Sequence, residues 1–557
     1  MSSIKVIPLS GVRENGKSLY VVEIEQDIFV LDCGLVYPED ELLGIDAVIP
    51  DFTYLVENAE RIAGIFLTHG HADAVGALPY FLQQIDAPVF GTELTIALAK
   101  LFVQTAGVNV SFDDYHVIND QTEIDFGTAV IRFFNTTHTI PDSVGVVLET
   151  KEGSIVYTGD FKFDQSAAKG YQTNFGQVAD IGEHGVLALL SDSSDAESPV
   201  ENVSDRKILE KMIETFDEAK GRIIVACVAS NILRVQQIMD AAKATGRKIF
   251  VTGRGIQEII DIAIRLDKLT IPSKDVLITA KQMEALDPSE IVVLETGGSG
   301  EPIKALQQMA LGRHRQVKIS EGDLVYIATT PSVAMEKLIA KTKDLIYRRD
   351  AEVLEMASLS KASGHATPND LKLMMNLLKP HYFIPVQGEF RNLVAHAELA
   401  EELGIPSKNI YIPAKGDVIE LSKERIGVYA SVPAGNVLVD GIGVGDIGNI
   451  VLKDRKILSE DGIFVVVTTI SRRLGKILSG PKIVSRGFVY MKTSEDLLQE
   501  STQIVTEVIE THLGDDDFEW SRLKQDVREQ LSKFLFEKTK RRPVIMPVIM
   551  EASHYQK

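Results

Sequence analysis

The chain has 557 residues, 45% of them hydrophobic and 25% charged, and a formal charge of −21. That length points to two to four domains rather than one core, and no low-complexity tract or short repeat interrupts it. The acidic balance argues against a protein that coats nucleic acid non-specifically, because its mean field repels phosphate. A nuclease stays open, since bound metal ions and a local basic cleft dominate the field at a site.

In chain order, the first 200 residues read mostly as strands: 20–32, 62–68, 128–135, 144–160 and 186–192 carry alternating or continuous apolar patterns between Gly, Asp and Asn turns. The stretch VGALPYFLQQI reads as helical. From about 203 the rhythm changes. A helix capped by Ser204 or Asp205, the strand RIIVACV, a helix ended by Gly246 and the strand KIFVTG alternate regularly, which predicts a parallel sheet covered on both faces. HYFIPV and NIYIPAKGDVIEL then return to the earlier style, so the alternating region is expected to be an insertion. A last unit offers strands IFVVVTTI and FVYM, two amphipathic helices and a closing strand VIMPVIM.

No apolar run reaches the roughly 18 residues of a membrane span, and MSSIKVIPLSGV lacks the apolar stretch of a signal peptide. A cytoplasmic protein with no membrane partner is expected. Cys33 and Cys227 lie on or beside β-type runs and are read as core residues. Arg313-His314-Arg315, Arg472-Arg473 and the run Lys538 to Arg542 are basic clusters, each read alone as a solvated charged face.

The chemistry-bearing residues fall at strand ends: Asp32, then His69, His71 and Asp73 in LTHGHADAVG, then His138 in NTTHTIPDS, then Asp160 in YTGDFKFD. Zinc accepts imidazole nitrogen and carboxylate oxygen, and a catalytic site leaves one position for water. Three histidines and two or three aspartates at successive strand ends can converge on one edge of a sheet sandwich. The position after Asp73 is Ala74, which offers no donor.

HxHxD after a strand, a later His and a later Gly-Asp resemble the metallo-β-lactamase fold. The inserted region is similar to the β-CASP domain of its nucleic-acid-processing branch, through Asp192 in LLSDSSDAES, His365 in KASGHATPND and the position of Gln387 in IPVQGEFRN. With TGGSGEP, the resemblance covers nearly the whole chain and points to the ribonuclease J family. It implies an α/β architecture: a metallo-β-lactamase αββα sandwich, an inserted Rossmann-like β-CASP domain and a small C-terminal α/β dimerisation domain. The boundaries read are 1–204, 205–360, 361–449 and 450–557.

The resemblance also implies roles. His69, His71, His138 and Asp160 would make one metal site, with Zn2+ or Mn2+. Asp160 would bridge to a second metal held by Asp73 and by histidines at positions 74 and 387, where this chain has Ala74 and Gln387. Alanine offers no donor and a glutamine carbonyl is a weaker ligand than imidazole, so one ion is expected rather than two. Asp73, Asp192 and His365 would be catalytic, His365 protonating the leaving oxygen. Lys361, Ala362, Ser363, Gly364 and His365 would bind the 5′-monophosphate end of RNA, the small residues letting backbone amides approach the anion. TGGSGEP is a further candidate phosphate cradle, while SNILR (230–234) is read as a helix start.

The implied activity is a weak 5′-to-3′ exoribonuclease, with some endonuclease action, in ribosomal RNA maturation and messenger RNA decay. The chain resembles the degenerate second paralogue that some bacteria carry beside an active one. The alternative is a largely non-catalytic subunit that pairs with an active paralogue, as a homodimer or hetero-oligomer and within an RNA-degrading complex. A hydrolase of small thioesters or lactams is disfavoured, because those lack the insertion.

Overall fold

The computed structural model describes residues 4–38, 42–253, 256–273, 275–297, 301–329, 335–356, 362–441, 443–445, 447–488, 495–515 and 517–552. The chain forms two compact units, Met1–Glu39 with Asp46–Ile442 and Asp40–Ile45 with Gly443–Lys557.

Two sheets face each other in the first unit. One runs in the order Ile426–Ser431, Asp417–Leu421, Ile4–Ser10, Leu19–Ile24, Asp27–Leu31, Ile62–Phe66, Val89–Gly91, Tyr115–Val117. The other runs Tyr382–Val386, Val186–Asp192, Gly153–Tyr157, Val144–Thr150, Val130–Asn135, Glu123–Asp125. The period of two explains why strands so uniformly apolar form here: Val144, Val146 and Leu148 point between the sheets, while Val147 points outward. There it meets Val178, Leu371, Met374 and Ala400 from the helices Phe175–His184, Pro368–Leu378 and Phe390–Glu402. Both faces are buried, so neither can be polar.

The insertion carries a six-stranded parallel sheet in the order Leu277–Ile278, Lys248–Thr252, Ile291–Gly297, Ile223–Val228, Leu324–Ile327, Glu352–Glu355. Ile223 and Val225 face Ile208, Met212, Val235 and Ile238; Ile224 and Ala226 face Ile303, Leu306, Met309 and Ile339. Ser204 caps the helix Asp205–Glu218 by accepting from the Lys207 amide. Lys162 of the sandwich holds Asp205 at 2.9 Å through both carboxylate oxygens, both side chains being buried. The chain returns to the sandwich in Tyr382–Val386, which pairs in parallel with Val186–Asp192.

The second unit has the sheet Lys476–Arg486, Ile463–Ser471, Val544–Glu551. Phe464, Val466, Ile470, Ile545 and Ile549 bury against Val505, Ile509, Leu523, Val527, Leu531 and Leu535 of the helices Glu495–Leu513 and Trp520–Thr539. No described helix is long and apolar enough to cross a membrane.

Two local expectations are corrected, and a third falls mostly outside the described residues. VGALPYFLQQI is not one helix: Ala72–Val75 and Leu78–Leu82 are separated around Gly76, whose added Cβ would meet Leu35 Cγ at 2.5 Å. Of NIYIPAKGDVIEL only Asp417–Leu421 is a strand, because Pro413 lacks a donor and Gly416 turns at φ 81°. In the second unit Lys476–Arg486 pairs with Ile463–Ser471; of the expected strand FVYM, Phe488 lies in a bend and residues 489–491 fall outside the described residues.

Candidate metal centre

The strand Ile62–Phe66 delivers His69 two residues past its last apolar neighbour, Leu67, and His71 begins the short helix Ala72–Val75, with Asp73 in its first turn. His138 follows Val130–Asn135; Asp160 follows Gly153–Tyr157; Asp192 ends Val186–Asp192; Gln387 follows Tyr382–Val386. Gly159 must be glycine: its φ is 59°, and an added Cβ would meet Thr68 Cβ at 2.9 Å. That close approach brings Asp160 beside His69.

The three imidazoles form a tight trio, with centroids 5.1 Å apart for His69–His71, 4.9 Å for His69–His138 and 5.1 Å for His71–His138. Among the described residues, three groups have donor atoms within 4.8 Å of one another: His69, His71 and His138; His69, Asp73 and Asp160; Asp160, Asp192 and His365. His69 Nε2 is buried without a hydrogen-bond partner, and Asp73 Oδ1 and Asp160 Oδ2 stand 3.7 and 3.8 Å from it. A buried donor atom facing two carboxylates at that range suits a shared cation better than a direct hydrogen bond.

The outer nitrogens are held. Asp32 accepts from the Thr68 amide at 2.8 Å, the Thr68 hydroxyl meets His69 Nδ1 at 2.9 Å, and the Tyr157 hydroxyl donates to Asp32 at 2.8 Å. His138 donates from Nδ1 to the Gly364 carbonyl at 2.8 Å, leaving its Nε2 as the free lone pair. His71 differs: Nδ1 meets Ser230 Oγ at 2.7 Å and Nε2 meets Thr139 Oγ1 at 2.8 Å. Ser230 belongs to the insertion, at the end of the strand Ile223–Val228, and the nearby Leu233 amide donates to the Thr139 carbonyl at 3.2 Å. The stretch read as a plain helix start, with Asn231 capping Ile232–Ala244, thus also touches a candidate ligand.

Burial would lower His69, but Asp73, Asp160 and Asp32 outweigh it and hold its pKa up at about 9. Burial and the His69 charge push His71 down to about 3, and burial drives His138 well below the usual range. Asp160 is raised by burial and by Asp192, whereas Asp73 is lowered because His69 overcomes its burial. His365 Nδ1 lies 2.8 Å from Asp192 Oδ2; burial opposes its protonation, but Asp192 and Asp160 hold its pKa well above an ordinary histidine.

In the segment expected to bind the RNA end, Lys361 falls outside the described residues. Ala362 and Ser363 are buried. The Ser363 amide donates to Asn202 Oδ1 at 3.2 Å, the His365 amide to Ser363 Oγ at 3.1 Å, and Asn202 Nδ2 to the His365 carbonyl at 2.8 Å. Two amides expected to face an anion therefore already have partners within the protein. Asn202 clamps the segment, and nothing in its own sequence context singled it out. Ala74 is fully buried. Gln387 sits at φ 52° with its Oε1 buried and unpartnered.

Family models match along the chain: the metallo-β-lactamase superfamily at 12–210, the ribonuclease J β-CASP domain at 220–345, a Zn-dependent metallo-hydrolase RNA specificity domain at 353–413 and the ribonuclease J C-terminal domain at 450–552. A Streptococcus pyogenes serotype M3 protein named Ribonuclease J 2 is 52% identical over 99% of this chain and 100% of its own. The chain belongs to the ribonuclease J family. Proteins of the same name from Staphylococcus epidermidis and Staphylococcus aureus are 46% identical over 98% of both chains. A crystal structure of an Enterococcus faecalis V583 protein of unknown function shares the fold alone, with a TM-score of 0.54 and 14% identity over 75% of this chain and 100% of its own.

Ribonuclease J membership accounts for the architecture: a metallo-β-lactamase sandwich, a β-CASP insertion and a C-terminal domain. It implies divalent-metal binding, and the His and Asp cluster with its unpartnered His69 Nε2 fits such an ion.

Proposed function

We propose that the chain is a weak metal-dependent ribonuclease acting from 5′-monophosphorylated RNA ends, and that it works as a subunit beside an active ribonuclease J paralogue. The observation that carries this is the His69, His71 and His138 trio with Asp160 beside His69, next to two positions that lack histidine. At the second position Ala74 offers no donor and Gln387 only a buried carbonyl oxygen.

His69, His71, His138 and Asp160 would hold one Zn2+ or Mn2+ ion, with Asp73 at its edge. When bound, such an ion supplies an activated water and stabilises charge on the scissile phosphate. His365, whose protonated form is favoured by Asp192 2.8 Å away, would give its proton to the leaving oxygen. The Ser363 hydroxyl and the Gly364 amide, in a segment clamped by Asn202, would receive the terminal phosphate. With the second ion weakly held, half of the usual two-metal clamp is missing, which supports both low turnover and the alternative of a largely non-catalytic partner. We place the domain boundaries near 204, 360 and 449. A cytoplasmic location, roles in ribosomal RNA maturation and messenger RNA decay, exonuclease with some endonuclease action, and dimerisation through the last domain belong to the same reading.

Elemental analysis beside digestion of a 5′-monophosphorylated RNA tests it. About one ion per chain is expected, and His69→Ala should abolish hydrolysis. Ala74→His with Gln387→His should raise the metal count toward two and hydrolysis by about tenfold or more, since even a perturbed supporting contact costs roughly 10 to 100-fold. Hydrolysis that survives His69→Ala would sink the proposal. Recovery of only self-associated protein from cell extract would remove the paralogue from it.

A further inference from the structure

The basic run at the end of the chain is not absorbed by the metal centre. The helix Trp520–Thr539 stops at Lys540, which takes a left-handed φ of 59° and turns the chain back. The turn sets Lys540 Nζ 5.5 Å and the Arg542 guanidinium 4.4 Å from the centroid of one ring, Phe536, which is 36% exposed. Lys538 lies 5.5 Å from the Phe534 ring but is paired with Glu500 at 2.8 Å, and Arg541 gives its Nη1 to the Phe488 carbonyl at 3.0 Å. Lys540 and Arg542 have no ion pair among the described residues; Asp461 accepts only the Arg542 backbone amide, at 3.0 Å.

Two cations held near one aromatic ring repel each other, and in a chain of net charge −21 the local excess stands out. An anion between them would relieve that repulsion. The exposed part of the Phe536 ring offers a nucleobase an apolar surface beside them. An acidic peptide would satisfy the charges but leave the ring without a purpose. On the reading that this chain acts on RNA, we propose that Phe536, Lys540 and Arg542 form a second contact for single-stranded RNA, carried by the C-terminal unit and made to phosphate and base without sequence preference.

The test is fluorescence anisotropy of the full chain with a labelled single-stranded 30-nucleotide RNA, in EDTA, over a salt series. Each single-strand phosphate contact contributes about 0.7 to the slope of log affinity against log salt. Lys540→Gln with Arg542→Gln should therefore lower the slope by about 1.4. Phe536→Leu, which keeps an apolar side chain, should weaken binding roughly tenfold with the slope unchanged. Metal content should stay at the wild-type value in both. Wild-type chain that binds no RNA overturns the functional reading and this proposal together. Wild-type binding with both variants indistinguishable from it overturns this proposal alone, as does a variant whose oligomeric state changes while its RNA affinity and slope do not, which would make the patch a protein contact.

Discussion

The His138 ring donates from Nδ1 to the carbonyl of Gly364, 2.8 Å away and 226 positions further along the chain. A candidate metal ligand is therefore oriented by the segment read as the RNA-end binder. An added Cβ on Gly364 would lie 2.8 Å from His138 Cε1 and 2.8 Å from Thr139 Cγ2. A methyl group there would push on the ring that the Gly364 carbonyl holds. Gly364→Ala should weaken Mn2+ binding about tenfold or more, measured by isothermal titration calorimetry, while circular dichroism stays at wild type. Unchanged affinity would mean that His138 is not a ligand.

Asp32 touches no imidazole, yet it fixes His69 through Thr68. Burial raises its pKa to about 6 against the opposing pull of His69, Thr68 and Tyr157. Its φ is 59°, a conformation that asparagine tolerates. Asp32→Asn thus removes the charge with little backbone strain, and the Mn2+ dissociation constant is expected to rise roughly 10 to 100-fold. Asp32→Asn with wild-type affinity would reduce Asp32 to a packing residue.

Metal binding should release protons. In the metal-free protein His69 is held at about 9, so at neutral pH its Nε2 carries a proton that an incoming cation must displace. Affinity should rise about tenfold per pH unit from pH 7 toward 9, with roughly one proton released per ion in calorimetry across buffers of different ionisation heat. The folding linkage runs the other way: a raised histidine stabilises the metal-free fold below 6.5 and loses that contribution as pH climbs through about 9. A flat affinity profile would exclude His69 from the shell.

His396 is a second, independent titration. It is fully buried against Phe383, its Nδ1 2.9 Å from the Ser193 hydroxyl and its Nε2 without a partner, and burial pushes its pKa down to about 3. A depressed histidine contributes stability above 6.5 and loses it as pH falls toward 3, by about 2 kcal/mol at pH 5. His396→Leu should flatten the acid limb of urea midpoints between pH 7 and 5. A parallel decline in both proteins would show that other groups set the acid response.

The donor chemistry and its order were legible in the chain because strand-end position follows from apolar periodicity, and few residue types bind hard or borderline cations. His69, His71, Asp73, His138 and Asp160 needed no coordinates to be named together, whereas the gap at Ala74 and Gln387 was legible only through the family resemblance. The sandwich and its insertion were readable for the same reason: the switch from strand-dominated to alternating strand and helix is a local pattern. What only the folded chain decided is who steadies those donors. Ser230 on His71, Asp32 behind Thr68, Asn202 on the Ser363 segment and Gly364 under His138 are ordinary polar or small residues in their own neighbourhoods. Their roles arise where separate elements meet, and a contact across tens or hundreds of positions leaves no periodic trace in one sequence. The same holds for Phe536, whose meaning depends on a left-handed turn at Lys540 that folds two charges back onto its ring.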